Sequence, residues 1–221
     1  MALGEKPLPI DARPQVLFNP DTRSANFFIP GLMVFLCQML ASMLTANAIV
    51  REKEFGTLEQ LFMTPVRPVE LMVGKLVPYL FLTLAEFCAI TLLMRTVFQV
   101  PIHGAFITLA LVMLPFILTM LGMGLWISTR ASTRDASMQM SMATVIPSIF
   151  LSGYVFPTDS MPLFFRYVSR LIPTTWMIDA ARGVILRGAG WRELWPNALV
   201  LSGMAVGVIT LAALRFKKRV S

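Results

Sequence analysis

Long apolar runs alternate along this chain with short polar ones, and their length is the first structural signal. Apolar residues dominate near 28–50, 76–96, 105–128, 137–156 and 195–214. Each run is close to the roughly 20 residues that a helix needs to cross the ~30 Å hydrocarbon core of a bilayer. The pattern therefore predicts an all-α integral membrane protein with about five transmembrane helices. Between the first two runs lies one dense charged segment, Arg51-Glu52-Lys53-Glu54-Phe55-Gly56-Thr57-Leu58-Glu59-Gln60-Leu61-Phe62-Met63-Thr64-Pro65-Val66-Arg67-Pro68-Val69-Glu70, continuing to Gly74-Lys75. Gly56 can close the preceding helix in a left-handed conformation, and Thr57 with Gln60 has the spacing of a capping box. A short new helix is expected there. Its residues Leu58, Leu61 and Phe62 share an apolar face opposite Glu59 and Gln60. Such a helix lies on a membrane surface or docks in a partner's groove; the plainer alternative is a solvated loop. Thr64-Pro65 stops it, and Pro68 with Glu70 starts the next helix with proline in the first turn and an acid near the positive end of the dipole.

A second irregular region follows the fourth run. Leu151-Ser152-Gly153-Tyr154-Val155-Phe156-Pro157 and Met161-Pro162 lead into a helix with Leu163, Phe164, Tyr167, Val168 and Leu171 on one side and Arg166, Ser169 and Arg170 on the other. Ile172-Pro173-Thr174-Thr175 interrupts it before a second helix from Trp176 to Leu186, in which Asp179 and Arg182 have the spacing of an i, i+3 pair. Neither piece is long or clean enough to span. Together they predict an amphipathic hairpin lying in or dipping into the outer interface, with Tyr154, Tyr167, Trp176, Trp191 and Trp195 at headgroup level. The alternative is an interfacial linker.

Composition agrees with the pattern, with 56% of the 221 residues hydrophobic and 14% charged and a mean hydropathy of +0.71. That is too apolar for a soluble domain of this size. The isoelectric point near 10.0 is accounted for by membrane topology and calls for no nucleic-acid partner. Cytoplasmic loops retain Lys and Arg, and ten of the 19 basic residues (Arg51, Lys53, Arg67, Lys75, Arg130, Arg134, Arg215, Lys217, Lys218 and Arg219) fall in three short segments on one side of the five runs. The expected orientation is N-terminus outside and C-terminus inside, with residues 1–27 as an extracytoplasmic tail and 28–221 as the membrane domain. Arg166, Arg170, Arg182, Arg187 and Arg192 then lie outside, against the general trend.

Within the spans, Ser141, Thr144, Ser148 and Ser152 form a small polar stripe that should face protein or water, for helix packing or a substrate path. Gly122 and Gly124 permit close helix contact, Pro115 should kink the third span, and Gln38 and Asn47 are expected to bond between helices. Glu86 lies midway along the second span, where an ionised carboxylate is costly unless paired, hydrated or protonated. It is the intramembrane polar candidate, with a hydrogen-bonded glutamate at a helix interface as the alternative. Cys37 and Cys88 sit inside spans. The chain has no Gly-x-x-x-x-Gly-Lys-Ser/Thr phosphate loop, because valine stands at position 69 before Gly74-Lys75. His103 is the sole histidine, no residues have metal-ligand spacing, and no serine has a neighbouring base. No catalytic, cofactor or metal residues are therefore assigned, and energy for transport would have to come from another polypeptide.

The charged segment from Ile49 to Leu61 with Thr64-Pro65-Val66-Arg67-Pro68 and Gly74-Lys75, together with Gly153-Tyr154-Val155-Phe156-Pro157, Met161-Pro162, Ile172-Pro173-Thr174 and Ala181-Arg182-Gly183, closely resembles the membrane-spanning permease of type 2 ATP-binding-cassette (ABC) exporters. The resemblance is to the bacterial drug-efflux-like branch and runs from about Asn19 to the C-terminus. It implies that the charged segment is a cytoplasmic coupling helix docked on an ABC ATPase subunit, with Arg51, Glu52, Glu54, Gly56, Thr57, Glu59 and Gln60 in ATPase coupling. It also implies that the segment at 157–187 is an outer re-entrant helical hairpin serving as an outer gate, with Gly153 and Pro157 shaping its entry. ATP and Mg would be bound by the partner ATPase. A second permease copy or a paralogue would complete the path for drug-like amphiphiles or lipids across a bacterial cytoplasmic membrane. Members of this branch carry a further helix and a large external domain ahead of the point where this chain begins, so 1–27 resembles the end of that domain. A truncated product, a late start or one piece of a split permease would each account for this. The rival expectation is a truncated or regulatory membrane fragment that pairs with an intact permease without transporting.

Overall fold

The computed structural model describes residues 24–56 and 68–218. Seven α-helices and no strand occur among the described residues: α1 (Ser24–Glu54), α2 (Pro68–Thr96), α3 (Phe106–Ser128), α4 (Arg134–Leu151), α5 (Leu163–Arg170), α6 (Pro173–Arg187) and α7 (Trp191–Lys218), with a 3-10 turn at Thr158–Ser160. Four of them are long and apolar enough to cross a membrane, at Asn26–Glu54, Val73–Thr96, Phe106–Ser128 and Trp191–Arg215.

The helices overrun the apolar runs because polar residues extend them. Arg51 to Glu54 form the last turn of α1, where basic side chains suit the negative end of the dipole. Pro68 and Glu70 open α2 as the sequence predicts. The run expected at 137–156 differs: α4 has 18 residues and ends at Leu151. At 1.5 Å per residue it is about 27 Å long. The chain turns there because Gly153 takes a left-handed φ of 83°, a conformation that costs glycine little. Polar residues leave α4 below the apolarity of the other four, yet it runs antiparallel to α1 over most of its length, with Ser137 bonded to Asn47, Ser148 to Gln38 at 3.2 Å and Tyr154 beyond its end against Phe28 and Phe35.

α1 and α3 form the centre. Both touch α4, α6 and each other, and α7 lies along α3. The buried core comes mainly from their facing sides, including Met33, Val34 and Cys37 of α1 with Leu109, Phe116, Ile117 and Leu121 of α3. Close approach depends on small residues. A Cβ on Gly124 would fall 2.6 Å from the Ser42 carbonyl oxygen and 2.7 Å from Thr45 Cβ, and one on Gly122 would fall 2.9 Å from Ile209 Cγ1 of α7. The pair of glycines read as contact residues therefore serves two different interfaces. Thr119 adds a hydroxyl bond of 3.2 Å to the Leu201 carbonyl across α3 and α7.

The polar stripe of α4 faces α1: Ser141, Ser148 and Ser152 are buried and Thr144 is half-buried. The hairpin helices behave differently from each other. α5 is the amphipathic helix expected, whereas α6 is largely buried, with Thr174, Met177, Ile178, Ala180, Ala181, Val184 and Ile185 against α1, α3 and α7. Its start meets Gln38 in the middle of α1, and its end meets the loop after α2, where the His103 amide donates to the Ile185 carbonyl at 3.1 Å. α6 thus enters the bundle rather than lying along its surface.

Candidate functional site

One end of the bundle gathers the end of α1, the start of α2, the end of α3 and the start of α4. α1 stops at Gly56, whose φ is 66° and whose amide bonds the Lys53 carbonyl at 3.2 Å. Among the described residues no atom lies within 4 Å of a Cβ placed on Gly56, and its positive φ is what favours glycine there. The charges of the last turn engage the neighbouring helices. Glu52 pairs with Lys75 of α2, Lys53 donates to the Ser128 carbonyl at the end of α3, and Glu54 pairs with Arg134 of α4 at 3.2 Å while accepting from its backbone amide at 2.9 Å. Phe55 is exposed between two guanidinium groups, Arg51 at 5.9 Å and Arg134 at 5.5 Å. Thr133 caps α4 by accepting from the Ala136 amide at 3.2 Å. The two ion pairs are partly exposed and contribute on the order of 1 kcal/mol each, so with the Lys53 hydrogen bond their joint effect is positional: three helices are held to the turn from which the chain leaves α1.

Of the residues assigned to coupling by resemblance, Arg51, Glu52, Glu54 and Gly56 therefore lie at this junction. Thr57, Glu59 and Gln60, with the short helix expected there, fall outside the described residues. Lys53, Lys75 and Arg134, which sequence reasoning gave only a topological role, join the same cluster. Their partners are 23 to 80 residues away, and no local spacing signals them.

The opposite end carries Gly153 and Pro157, the residues assigned to an outer gate by resemblance. After α4, Gly153 reverses the chain and Pro157 begins the 3-10 turn, its carbonyl accepting from the Ser160 amide at 3.1 Å. Arg182 of α6 holds this reversal, donating to the Gly153 carbonyl at 2.8 Å and the Tyr154 carbonyl at 3.2 Å, with its guanidinium 3.7 Å from the Phe27 ring. Burial pushes Arg182 down to about 10, with Tyr154 and Asp179 pulling it back up, so it is a cation at pH 7. The i, i+3 pair expected between Asp179 and Arg182 is replaced by these bonds. Asp179 instead accepts from Asn197 of α7 at 3.1 Å and lies 4.0 Å from Arg187. The carbonyls of the turn offer Arg182 two fixed acceptors, a better match for its fork than one flexible carboxylate.

Gln38 links α1 to both neighbours. It accepts from the Thr174 hydroxyl at 2.7 Å and donates to Ser148 at 3.2 Å, and it is 1% exposed with Thr174 at 0%. Asn47 is the acceptor for Ser137. Both residues therefore bond between helices, as their positions predict. Glu86 is half-buried on α2, and its Oε2 is buried with no hydrogen-bond partner among the described residues. It belongs to neither end. No cluster of three or more His, Cys, Asp or Glu suited to a metal occurs among the described residues.

Comparison with known proteins gives a consistent match. A family profile described as ABC-2 family transporter protein covers residues 2–214. The chain is 35% identical over 211 residues to "Probable multidrug ABC transporter permease YbhS" of Escherichia coli (strain K12), covering 95% of this chain and 56% of that protein. It is 30% identical over 206 residues to "Inner membrane transport permease YhhJ" of the same organism, covering 92% and 54%. "ABC transporter G family member 20" of Dictyostelium discoideum is 27% identical over 208 residues, covering 93% of this chain and 28% of that protein. The chain thus spans about half the length of the bacterial curated relatives it matches.

Proposed function

We propose, from the premise that this chain belongs to the ABC-2 family of transporter proteins, that it is the permease part of an ATP-driven exporter in a bacterial cytoplasmic membrane. The observation that carries this reading is the junction at the end of α1, where Glu52, Lys53 and Glu54 fasten α2, α3 and α4 around the left-handed stop at Gly56. A push on the segment that follows would reach all four helices together. α1 would then act as a lever, because the same helix bears Gln38, which grips the start of α6 through Thr174. The coupling segment and the gate hairpin would be connected by one 31-residue helix.

In this reading Arg51, Glu52, Glu54 and Gly56 set the pose of the coupling segment, while Thr57, Glu59 and Gln60 meet an ABC ATPase subunit. That subunit binds ATP and Mg; this chain supplies no cofactor site and is not itself the enzyme. ATP-driven closure of the ATPase pair shifts the permease between two arrangements, and Gly153 and Pro157 let the gate move against α4. A second permease copy or a paralogue lines the other half of the path within the lipid. α4 spans with the four apolar helices, giving five crossings. The basic residues at Arg51, Lys53, Arg130 and Arg215 favour the cytoplasm, which supports a C-terminus inside and a start of α1 outside. Relatives named as multidrug permeases, together with the resemblance of the motifs, favour amphiphilic drug-like molecules or lipids as cargo.

The test is purification through a C-terminal tag at the native locus, followed by intact masses of every protein recovered. The account expects an ABC ATPase in stoichiometric amount. Recovery of the chain with another permease but without an ATPase, under conditions that hold a known permease complex together, would instead establish the regulatory fragment.

A further inference from the structure

The gate end contains a cavity of about 390 Å³ between the start of α1, the turn after α4, and helices α5 and α6. Its wall holds the cations Arg166, Arg170 and Arg182 and the carboxylates Asp159 and Asp179, the first carboxylate paired with Arg166 and the second accepting from Asn197 and lying 4.0 Å from Arg187. Ser152, 2% exposed, has a buried hydroxyl with no partner among the described residues, and the Nε–H of Arg182 is likewise buried and unpartnered. A buried donor without an acceptor is destabilising, and here two such donors line one space. Arg166 and Arg170 line it as well, projecting from the polar side of α5. Arg166 is paired with Asp159, whereas Arg170 contributes an exposed positive charge at the rim. The group that matches this wall carries several acceptor oxygens and a negative charge.

The other side of α5 identifies the source of that group. Leu163, Phe164, Tyr167 and Leu171 form a continuous exposed apolar face, with Phe164 at 71% and Leu171 at 76% exposure. Such a face, directly behind a row of arginines and beside Trp176 in the cavity wall, is the arrangement of a helix seated at the boundary of acyl chains and headgroups. We propose that this cavity binds the phosphodiester headgroup of a membrane phospholipid, the phosphate oxygens accepting from Ser152 and Arg182 and facing Arg170, while the acyl chains lie along the apolar face of α5. Arginine suits this group because its planar donors meet phosphate oxygens in pairs. The leaflet occupied follows from the orientation under the proposed function; the headgroup chemistry does not depend on it.

Native mass spectrometry of the purified full chain in detergent, after delipidation, tests this with three probes: short-chain phosphatidylglycerol, dioctanoylglycerol lacking the phosphate, and glycerol phosphate lacking the chains. One phosphatidylglycerol per chain should be retained, at least about tenfold more tightly than either other probe, a tenfold step being about 1.4 kcal/mol. Arg170→Ala combined with Ser152→Ala should abolish that preference, whereas Arg170→Lys, which keeps the charge, should retain most of it. Ser202→Ala, a hydroxyl on α7 bonded within its own helix, should have no effect. Equal retention of dioctanoylglycerol would overturn the proposal, as would unchanged binding in the double variant. Glycerol phosphate held as tightly as the lipid would assign the site to a free phosphate ester and overturn the membrane source. Labelling of Ser160→Cys, in a chain with Cys88→Ser, by a reagent confined to one side of the membrane reports orientation separately, so a wrong leaflet and a wrong ligand give different results.

Discussion

The bond between Gln38 and Thr174 joins the middle of α1 to the start of α6, and its strength is measurable. Thr174→Val keeps the shape of the side chain and removes the hydroxyl that donates to Gln38 Oε1 at 2.7 Å; Gln38→Leu removes that acceptor and also the donor to Ser148 at 3.2 Å. Both residues are fully buried, so each truncation strands a polar atom away from water. Hydrogen bonds between membrane helices average about 0.6 kcal/mol and reach about 1.7, while an orphaned buried partner costs about 1–3 kcal/mol. The short distance and complete burial place this bond in the upper part of the membrane range. Thr174→Val should therefore cost about 1 kcal/mol and Gln38→Leu about 2, because it breaks two bonds. The double variant should be less destabilised than the sum by about 1 kcal/mol. Reversible unfolding in mixed micelles, followed by far-UV helicity, gives all four corners of the cycle. Additivity to within about 0.5 kcal/mol, the scatter of independent sites, would refute the reasoning and separate α6 from α1 energetically.

Gly124→Ala should destabilise by about 1–3 kcal/mol through overpacking against Ser42 and Thr45, whereas Gly207→Ala, with no atom within 4 Å of the added carbon, should be neutral or mildly stabilising in the same unfolding assay. Thr133→Ala should remove the cap of α4 at a cost of about 1 kcal/mol, visible as faster amide exchange at 135–138 with the rest of α4 unchanged. Arg182→Met, which keeps length but loses the bonds to Gly153 and Tyr154, should speed exchange across 152–159 by at least about tenfold, since each charge-assisted bond contributes about 1.5–3 kcal/mol; unchanged exchange would show that the turn is held by other contacts.

Much of this architecture is legible in local sequence because its determinants are local. Length and apolarity reveal the four long helices, the proline and acid at Pro68 and Glu70 mark the start of α2, and Gly56 announces the stop of α1 by its conformational freedom. Gly122 and Gly124 are readable as close contacts, although only the fold assigns one to α7 and the other to α1. The end of α4 is harder to read because Tyr154, Val155 and Phe156 prolong the apolar run past the turn at Gly153, and hydropathy does not register a change in φ. The burial of α6 is missed for a related reason: Asp179 and Arg182 make the segment resemble a surface helix, while Ala180, Ala181 and Gly183 are small enough to pack among other helices. Arg182 could not be placed from helical spacing, since its acceptors are 28 and 29 residues earlier. The junction at the end of α1 is legible as a motif by resemblance, but the partners of Glu52 and Glu54 come from α2 and α4 and depend on tertiary packing.

The most direct test of the central claim is site-specific photo-crosslinking in native membranes, with a photoreactive amino acid placed at Glu59 in one variant and at Thr158 in another. The account predicts an adduct between the Glu59 position and an ABC ATPase subunit, and none from Thr158, which lies in the 3-10 turn after α4. No ATPase adduct from Glu59 in a complex that still contains the ATPase, or an adduct from Thr158 instead, would contradict the assignment of coupling to this segment.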